Sequence, residues 1–198
     1  MNLFYNYAGV GDVAFLQIEP TNGPFEYDKQ NDIVVIKDGD KVVGFNIFGF
    51  SNYFKIQENG HIKLTPELVD ALQQAIDKSS VDYKLDADLS PKFVVGYVET
   101  KDKHPNADKL SILKVNVGNE NLQIVCGAPN VEAGQKVVVA KVGAVMPSGM
   151  VIKDAELRGV ASSGMVCSMK ELNLPNAPQE KGIMVLSDDY QVGQAFFD

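Results

Sequence analysis

Residues 94–117 read Val-Val-Gly-Tyr-Val-Glu-Thr-Lys-Asp-Lys-His-Pro-Asn-Ala-Asp-Lys-Leu-Ser-Ile-Leu-Lys-Val-Asn-Val. Apolar residues alternate with other types near residues 93–99 and again over residues 110–117, and this period of two is typical of half-buried β-strands. The residues between them, 100–108, are polar and include Pro105 and Asn106, which favour turns. The stretch therefore predicts two strands joined by a polar loop.

Short strands and turns continue to the end of the chain. Further strands are predicted at residues 122–126, 136–142, 150–152 and 183–186, with turns at residues 118–121 and 147–149. Many short strands separated by glycine and proline indicate a small β-barrel. The second half of the chain is therefore expected to be almost entirely β.

The loop between the first two of these strands has a distinctive sequence. His104-Pro105-Asn106-Ala107-Asp108-Lys109-Leu110 resembles the signature loop of the tRNA-binding domain near the N-terminus of the bacterial phenylalanyl-tRNA synthetase beta subunit. That domain also occurs in some methionyl-tRNA synthetases and in free-standing tRNA-binding proteins. The resemblance implies an OB-fold that binds transfer RNA. It continues in order through residues 123–131, 134–137, 142–147, 157–160, 163–168, 170–172 and 181–186, and so covers nearly all of residues 91–198.

The place of this domain in the chain separates two kinds of relative. The synthetase subunit continues for several hundred residues beyond the domain, whereas this sequence ends at Asp198 and carries an acidic segment in front of it. The chain is therefore more similar to the stand-alone bacterial tRNA-binding proteins of the YtpR type. Those proteins have a small accessory domain ahead of the OB-fold, and the resemblance implies no role for it.

The first half of the sequence predicts strands followed by one helix. Apolar runs at residues 33–37 and 42–48 flank Asp38-Gly39-Asp40, which is a hairpin signal. Thr65 and Pro66 then supply an N-cap and a first helical residue, and apolar residues repeat at helical spacing to about Lys78. An α+β domain is therefore expected here.

Composition separates this part of the chain from the barrel. Residues 82–90 are polar and acidic, which is typical of a linker between domains. The predicted fold class is mainly β, and α+β overall. The predicted domains are an acidic accessory domain at residues 1–81, a linker at 82–90 and a tRNA-binding OB-fold at 91–198.

The distribution of charge matters more than its total. The net charge is −8, which on its own disfavours a nucleic-acid partner. Residues 1–90 hold 7 lysines and 14 carboxylates, whereas residues 91–198 hold 11 basic and 12 acidic residues. The second half is therefore nearly neutral and can present a basic face to a polyanion.

Several kinds of site and location are disfavoured by the residues present. No apolar run is long enough to cross a membrane and the N-terminus does not resemble a signal peptide, so a cytoplasmic location and no membrane association are expected. Cys126 and Cys167 form no C-x-x-C pattern and are expected to be small buried hydrophobes. With two histidines and two cysteines in the chain, neither a metal site nor a cofactor is expected.

Candidate RNA-binding residues lie in two patches of the second half. Lys103 and Lys109 are in the polar loop, where they can neutralise phosphates, and Arg158 offers a planar fork that can grip a phosphate. The resemblance implies that Ser162 and Met165 contact tRNA. A core position for Met165 and a plain turn at residues 162–164 remain open alternatives. The supporting candidates are Lys153, Ser168 and Lys170.

The type of RNA is indicated by the scarcity of aromatic residues. Proteins that bind single strands usually offer a row of rings on which bases stack. The second half holds only Phe93, Tyr97, Tyr190, Phe196 and Phe197, most of them near its ends. Folded RNA, recognised through its shape and phosphates, is therefore expected, and transfer RNA fits that description.

Two other classes of function remain open. The OB-fold could be a protein-interaction module with little RNA affinity, and a second copy of the chain or a synthetase would then be a natural partner. An enzyme would have to place its chemistry in the first domain, with Asp12, Asp28 or Asp32 as candidates, although such acids are more often solvated turn residues. His104 is expected to be a surface turn residue. Because no common catalytic motif occurs, binding without catalysis is the prediction.

Overall fold

The computed structural model describes residues 1–197, and Asp198, the last residue of the predicted OB-fold domain, lies outside them. The chain divides into two compact units, the first at Met1–Ser90 and the second from Pro91 onward. Strands make up most of the regular structure in both units, which confirms the predicted fold class.

The first unit is an antiparallel sheet with one long helix. Its helices are α1 (Tyr7–Val10) and α2 (Pro66–Lys78), and a 3-10 turn lies at Phe50–Asn52. Its strands are β1 (Asn2–Tyr5), β2 (Val13–Gln17), β3 (Glu26–Gln30), β4 (Ile33–Asp38), β5 (Lys41–Phe48) and β6 (Gly60–Ile62). The strands are ordered β3-β4-β5-β2-β1-β6 across one six-stranded sheet.

The predicted helix and hairpin of this unit are confirmed. The backbone N–H of Leu68 donates to Thr65 Oγ1 over 3.2 Å, so Thr65 is the N-cap and Pro66 begins α2. The buried face of α2 packs against the sheet. Asp38 pairs with Lys41 across the turn between β4 and β5, where Gly39 has φ +61°. The apolar pattern therefore determines both elements.

Residues 82–90 have no regular secondary structure, and their first part is attached to α2. Gln73 Nε2 donates to the carbonyl oxygen of Tyr83 over 2.8 Å, and the backbone N–H of Leu85 donates to Gln73 Oε1 over 2.7 Å. Tyr83 and Leu85 also pack against the core of the first unit. The predicted boundaries of the domains and linker stay a prediction.

The second unit is a closed barrel with an additional hairpin. Its strands are β7 (Phe93–Lys103), β8 (Ser111–Asn116), β9 (Asn121–Cys126), β10 (Lys136–Ala140), β11 (Asp154–Leu157), β12 (Val160–Ser163), β13 (Met165–Val166) and β14 (Val185–Leu186). Five of them form a sheet in the order β13-β10-β7-β8-β9, and β14 pairs with β10. Side chains from these strands, including Val98, Val115 and Val137, are fully buried in its core.

The barrel closes between β9 and the chain segment that contains β12 and β13. The backbone N–H of Val125 donates to Ser162 Oγ over 3.0 Å, and Gln123 Nε2 donates to the carbonyl oxygen of Ala161 over 2.8 Å. On the other side, β13 pairs with β10 through Val139 and Val166. This closed arrangement is that of an OB-like fold.

Two predictions about this unit are wrong in detail, and one hairpin was not predicted. β7 continues to Lys103, which pairs with Ser111, so the predicted loop at residues 100–108 is shorter and starts at His104. Residues 150–152 form only an isolated bridge, between Val145 and Val151, and not a strand. The β11–β12 hairpin was not predicted, because all four residues of β11 are exposed and no apolar alternation marks it.

Candidate nucleic-acid interface

His104 organises the loop between β7 and β8. Its side chain is only 5% exposed, so the prediction of a surface turn residue is wrong. The backbone N–H of Asn106 donates to Nδ1 of His104 over 3.0 Å, so Nδ1 carries no proton and Nε2 must carry one. Nε2 then donates to the carbonyl oxygen of Leu157 over 2.9 Å. His104 therefore connects its own loop to the β11–β12 hairpin.

The β11–β12 hairpin turns at Arg158 and Gly159. Both residues have positive φ, +52° and +86°, as expected of a two-residue turn that follows the twist of the strands. Such turns favour Asn-Gly, and a side chain such as arginine at a left-handed position costs about 1 kcal/mol. Asn106 Nδ2 donates to the carbonyl oxygen of Arg158 over 3.1 Å. We call residues 104–110 and 157–160 together the joined loops.

Three of the predicted cations lie on or beside the joined loops. Lys109 is within the first loop, Lys103 is the last residue of β7 before it, and Arg158 is at the hairpin turn; all three are exposed. Among residues 1–197, none of their charged groups forms an ion pair or a side-chain hydrogen bond. Their charges are therefore available to a ligand.

Acidic residues near the same loops moderate this positive charge. Asp102, Asp108 and Glu156 are all exposed and close in sequence to the three cations. The local field is therefore mixed, and a bound polyanion would make only a few phosphate contacts. Lys153 precedes β11 and lies at the other end of the hairpin, about 16 Å along the strand from Arg158.

Two other lysines on the barrel strands differ from each other in whether they form an ion pair. Lys101 on β7 forms an ion pair with Glu132, with 2.9 Å between Nζ and Oε1. Lys114 on β8 is exposed between Thr100 and Gln123 on neighbouring strands, and it has no ion pair within residues 1–197. Sequence reasoning missed Lys114, although its place between Leu113 and Val115 marks it as outward-facing. It adds a cation to the outer face of the second and third barrel strands.

Ser162 is inside the barrel wall and not on a loop surface. It is 4% exposed, and its Oγ accepts the hydrogen bond from Val125 described above. Ser163 next to it donates from Oγ to Asp154 Oδ1 over 2.7 Å and ties β12 to the start of β11. We therefore assign Ser162 to closing the barrel.

Met165, Ser168 and Lys170 line a separate groove of about 790 Å³. Met165 is half-buried against the core, and Lys170 is exposed. The backbone N–H of Ser168 donates to Glu171 Oε2 over 2.8 Å, and that of Glu171 donates to Ser168 Oγ over 3.1 Å. This reciprocal pair has the hydrogen-bond pattern of a capping box, here at the start of a turn, so Ser168 has a clear structural role.

Asn130 fixes the opposite wall of this groove. Its Nδ2 donates to the carbonyl oxygen of Ile183 over 3.0 Å, and its Oδ1 accepts from the Ile183 N–H over 2.8 Å. Gly182 allows this approach, since a Cβ at that position would be 2.9 Å from Asn130 Oδ1. The side chain of Asn130 thus makes both backbone hydrogen bonds of residue 183 that a neighbouring strand would make.

Two of the acidic residues considered for an enzyme in the first unit, Asp12 and Asp28, have side-chain hydrogen-bond partners. Asp12 accepts hydrogen bonds from Tyr5 Oη (2.9 Å), the Ser51 N–H (3.0 Å) and Ser51 Oγ (2.6 Å). Burial alone would raise the pKa of Asp12, but these hydrogen bonds outweigh it and hold the pKa below its usual value. Burial, with the adjacent Asp12, raises the pKa of Tyr5 to about 12. Asp28 accepts from Gln30 Nε2, and Asp32 lies in the turn between β3 and β4.

Residues 1–197 contain neither a cluster of metal-binding side chains nor a helix that could span a membrane. No three His, Cys, Asp or Glu side chains among residues 1–197 are grouped so that they could hold a metal ion. In the same part of the chain, no helix has both the length and the apolar character needed to cross a bilayer.

Comparison with known proteins identifies two domains and several relatives. A family model described as "Putative tRNA binding domain" matches residues 93–195, and one described as "Domain of unknown function (DUF4479)" matches residues 20–88. The Bacillus subtilis (strain 168) protein named "Putative tRNA-binding protein YtpR" is 59% identical over 199 residues, which is 99% of each chain.

The match to the synthetase subunits covers only a small part of their length. The phenylalanine–tRNA ligase beta subunit of Oceanobacillus iheyensis is 49% identical over 135 residues, covering 65% of this chain and 16% of the subunit. That of Campylobacter jejuni (strain RM1221) is 59% identical over 97 residues, covering 49% of this chain and 12% of the subunit. These matches confirm the resemblance noted in the sequence. The chain belongs to the family defined by the domain at residues 93–195, and it matches the Bacillus subtilis member along almost its whole length.

Proposed function

We propose that this chain binds folded transfer RNA through the joined loops of its second unit, in the cytoplasm and without a catalytic step. OB-folds bind nucleic acids through the loop after their first strand and the loop before their last. In this barrel the same two loops are joined by the bonds from His104 to Leu157 and from Asn106 to Arg158. That contact carries the proposal, because it joins the loop that follows Lys103 and contains Lys109 to the hairpin turn that contains Arg158.

The residues of this surface favour phosphates over bases. The joined loops contain no phenylalanine, tyrosine or tryptophan, and the imidazole of His104 is buried, so they offer no ring on which a base could stack. Four of the five rings of the second unit pack on one another instead, with centroids 5.4 Å apart for Phe93 and Phe197 and 5.0 Å apart for Phe196 and Phe197. Recognition by shape and phosphate position, as for folded RNA, fits this surface.

The mixed charge of the surface sets the expected strength of binding. Each neutralised phosphate releases counterions and contributes roughly −0.9 to the slope of log K against log salt. Two to four contacts from the exposed cations predict a slope of roughly −2 to −4. Binding should therefore be weak at physiological salt and largely independent of the anticodon sequence.

A salt titration tests the proposal. Fluorescently labelled bulk tRNA is titrated with the full chain at about 50 to 200 mM salt, with the single-stranded oligomer oligo(U) as a comparison. We expect tRNA binding that weakens with salt at the stated slope, and weaker binding of oligo(U). Affinity that does not change with salt would contradict the phosphate contacts. Preference for oligo(U) would contradict recognition of folded RNA.

Secondary contacts are proposed for the remaining candidates. Met165, Ser168 and Lys170 line the groove beside Asn130, and Lys153 lies near the base of the hairpin. Substitution of Lys170 or Lys153 by alanine should weaken tRNA binding less than a change at the joined loops. A larger effect from either lysine would move the principal surface to the groove or to the hairpin base.

A protein-interaction module is the alternative, and the net charge of −8 favours it. It predicts that the titration shows no tRNA binding at low salt. In that case a second copy of the chain or a synthetase is the proposed partner. Light scattering after size exclusion, with and without an added synthetase, would then measure the assembly.

A further inference from the structure

We propose that His104 is a positioning residue for RNA binding, which acts by holding Arg158 in the conformation that presents its guanidinium. The inference rests on the proposed function and names a residue that supports it without touching RNA. His104 is 5% exposed and both ring nitrogens are already occupied by hydrogen bonds within the chain. Contact with a ligand is therefore not its role.

The backbone of Arg158 is strained. A non-glycine residue with φ +52° persists only where its surroundings hold it in place. Asparagine or glycine would fit the same turn with less strain. The chain instead places its only arginine there, exposed and without a carboxylate partner within residues 1–197. Such strain at an exposed cation points to a requirement for that cation.

The loop before β8 supplies the restraint on the backbone of Arg158. The loop before β8 bonds two successive carbonyl groups of the hairpin, that of Leu157 through His104 and that of Arg158 through Asn106. The two bonds are themselves linked, because the Asn106 N–H donates to the same imidazole over 3.0 Å. His104 is thus the centre of the contact, and losing it would release both carbonyls.

Histidine suits position 104 because its ring can accept and donate hydrogen bonds at the same time. A neutral imidazole offers an acceptor and a donor on opposite sides of one rigid ring. One nitrogen folds the His104 loop onto itself while the other reaches the hairpin, so a single side chain sets the distance between the two loops. A rigid presentation of Lys109 and Arg158 lowers the conformational entropy lost when RNA binds.

A double-mutant cycle on tRNA binding tests this role. His104→Ala, Arg158→Ala and the double variant are each titrated with labelled tRNA across the salt series. Loss of a well-made charge-assisted contact predicts about tenfold weaker binding for either single change. If His104 acts through Arg158, the double variant binds about as weakly as either single variant, and all three salt slopes fall by about one contact. His104→Gln, which keeps a donor towards Leu157, should recover part of the affinity.

A merely structural role gives a different pattern. General loosening of the fold lowers thermal stability and the active fraction but leaves the salt slope of the folded protein unchanged. His61→Ala changes the only other histidine, which lies in the first unit, and is the matched control. Multiplicative losses in the double variant, or wild-type affinity for His104→Ala, would overturn the proposal.

A measurement without RNA separates this inference from the proposed function. Three-bond couplings and chemical shifts from NMR report whether φ of residue 158 is positive. We expect a positive φ in the wild type and in His61→Ala, and averaging over other conformations in His104→Ala. A positive φ retained in His104→Ala overturns the positioning role. If the wild type binds no tRNA, the proposed function fails. The NMR measurement then still decides whether His104 holds φ of residue 158 positive.

Discussion

Asn106 Nδ2 donates a 3.1 Å hydrogen bond to the carbonyl oxygen of Arg158, 52 residues further along the chain. This bond holds a turn whose arginine has φ +52° and whose preferred residue would be asparagine. Stability and charge therefore favour different residues at position 158, because asparagine, which suits the backbone best, carries no positive charge. Substitutions at position 158 can therefore measure both effects.

Arg158→Asn should change stability and RNA binding in opposite directions. Asparagine relieves the left-handed strain, so the free energy of unfolding should rise by about 0.5–1 kcal/mol. The loss of the guanidinium should weaken tRNA binding about tenfold. Urea unfolding and tRNA titration on the same preparation measure the two effects. Arg158→Lys keeps both the charge and the strain, and so should leave stability unchanged. An Arg158→Asn protein less stable than wild type would refute the strain argument.

Arg158→Ala should weaken tRNA binding about tenfold, whereas Lys101→Ala should change it by less than about twofold. Each variant removes one positive charge, so their long-range electrostatic effects are matched. They differ because Lys101 is engaged with Glu132 at 2.9 Å, while Arg158 has no carboxylate partner among residues 1–197. Equal losses of affinity in the tRNA titration would mean that the overall electrostatic field of the protein attracts the RNA, and not a local contact from Arg158.

The sequence alone was sufficient for the elements with a clear period. The helix that begins at Pro66 and the hairpin around Gly39 are where the apolar pattern and turn residues placed them. Burial also follows the predicted alternation in β8 and β9. These predictions succeed because the pattern of one segment determines its own structure.

Contacts between distant segments were not predictable in this way. His104 reads as a polar turn residue, and only its bond to Leu157, 53 residues away, explains its burial. The β11–β12 hairpin has no buried residue in its first strand, so no local signal marks it. The burial of Ser162 likewise depends on a partner, Val125, in another strand.

Asn130→Ala should lower the free energy of unfolding by about 2 kcal/mol, since it removes both hydrogen bonds to Ile183. Asn130→Asp keeps the acceptor for the Ile183 N–H but sets a carboxylate oxygen against the Ile183 carbonyl oxygen, so a loss at least as large is expected. Asn119→Ala, in the exposed turn between β8 and β9, is the control and should stay within about 0.5 kcal/mol of wild type. Equal stability of the three variants in urea would disprove the role of Asn130.

Asp12→Asn should destabilise the first unit at neutral pH and much less at low pH. The folded-state pKa of Asp12 lies below its unfolded value of about 3.9, so its stabilising effect is present above that pH and is lost as pH falls through the folded pKa. At pH 7 the difference in free energy of unfolding from wild type should be on the order of 1 kcal/mol. Urea unfolding at pH 7 and at about pH 3 checks this. A difference that does not shrink on acidification would show that the ionised carboxylate contributes nothing.

A fragment of residues 91–198 should fold alone and bind tRNA more tightly than the full chain at low salt. The barrel has its own buried core, from Val94 to Leu186, which predicts a cooperative thermal transition. Removing residues 1–90 removes 14 carboxylates against 7 lysines, and so lessens repulsion of a polyanion. Because that repulsion acts at long range, the advantage should shrink as salt rises towards 200 mM. The fragment and the full chain are compared by calorimetry and by tRNA titration at each salt concentration. A soluble fragment without a thermal transition would contradict the two-domain prediction. A folded fragment that binds more weakly than the full chain would assign part of the RNA surface to the first unit.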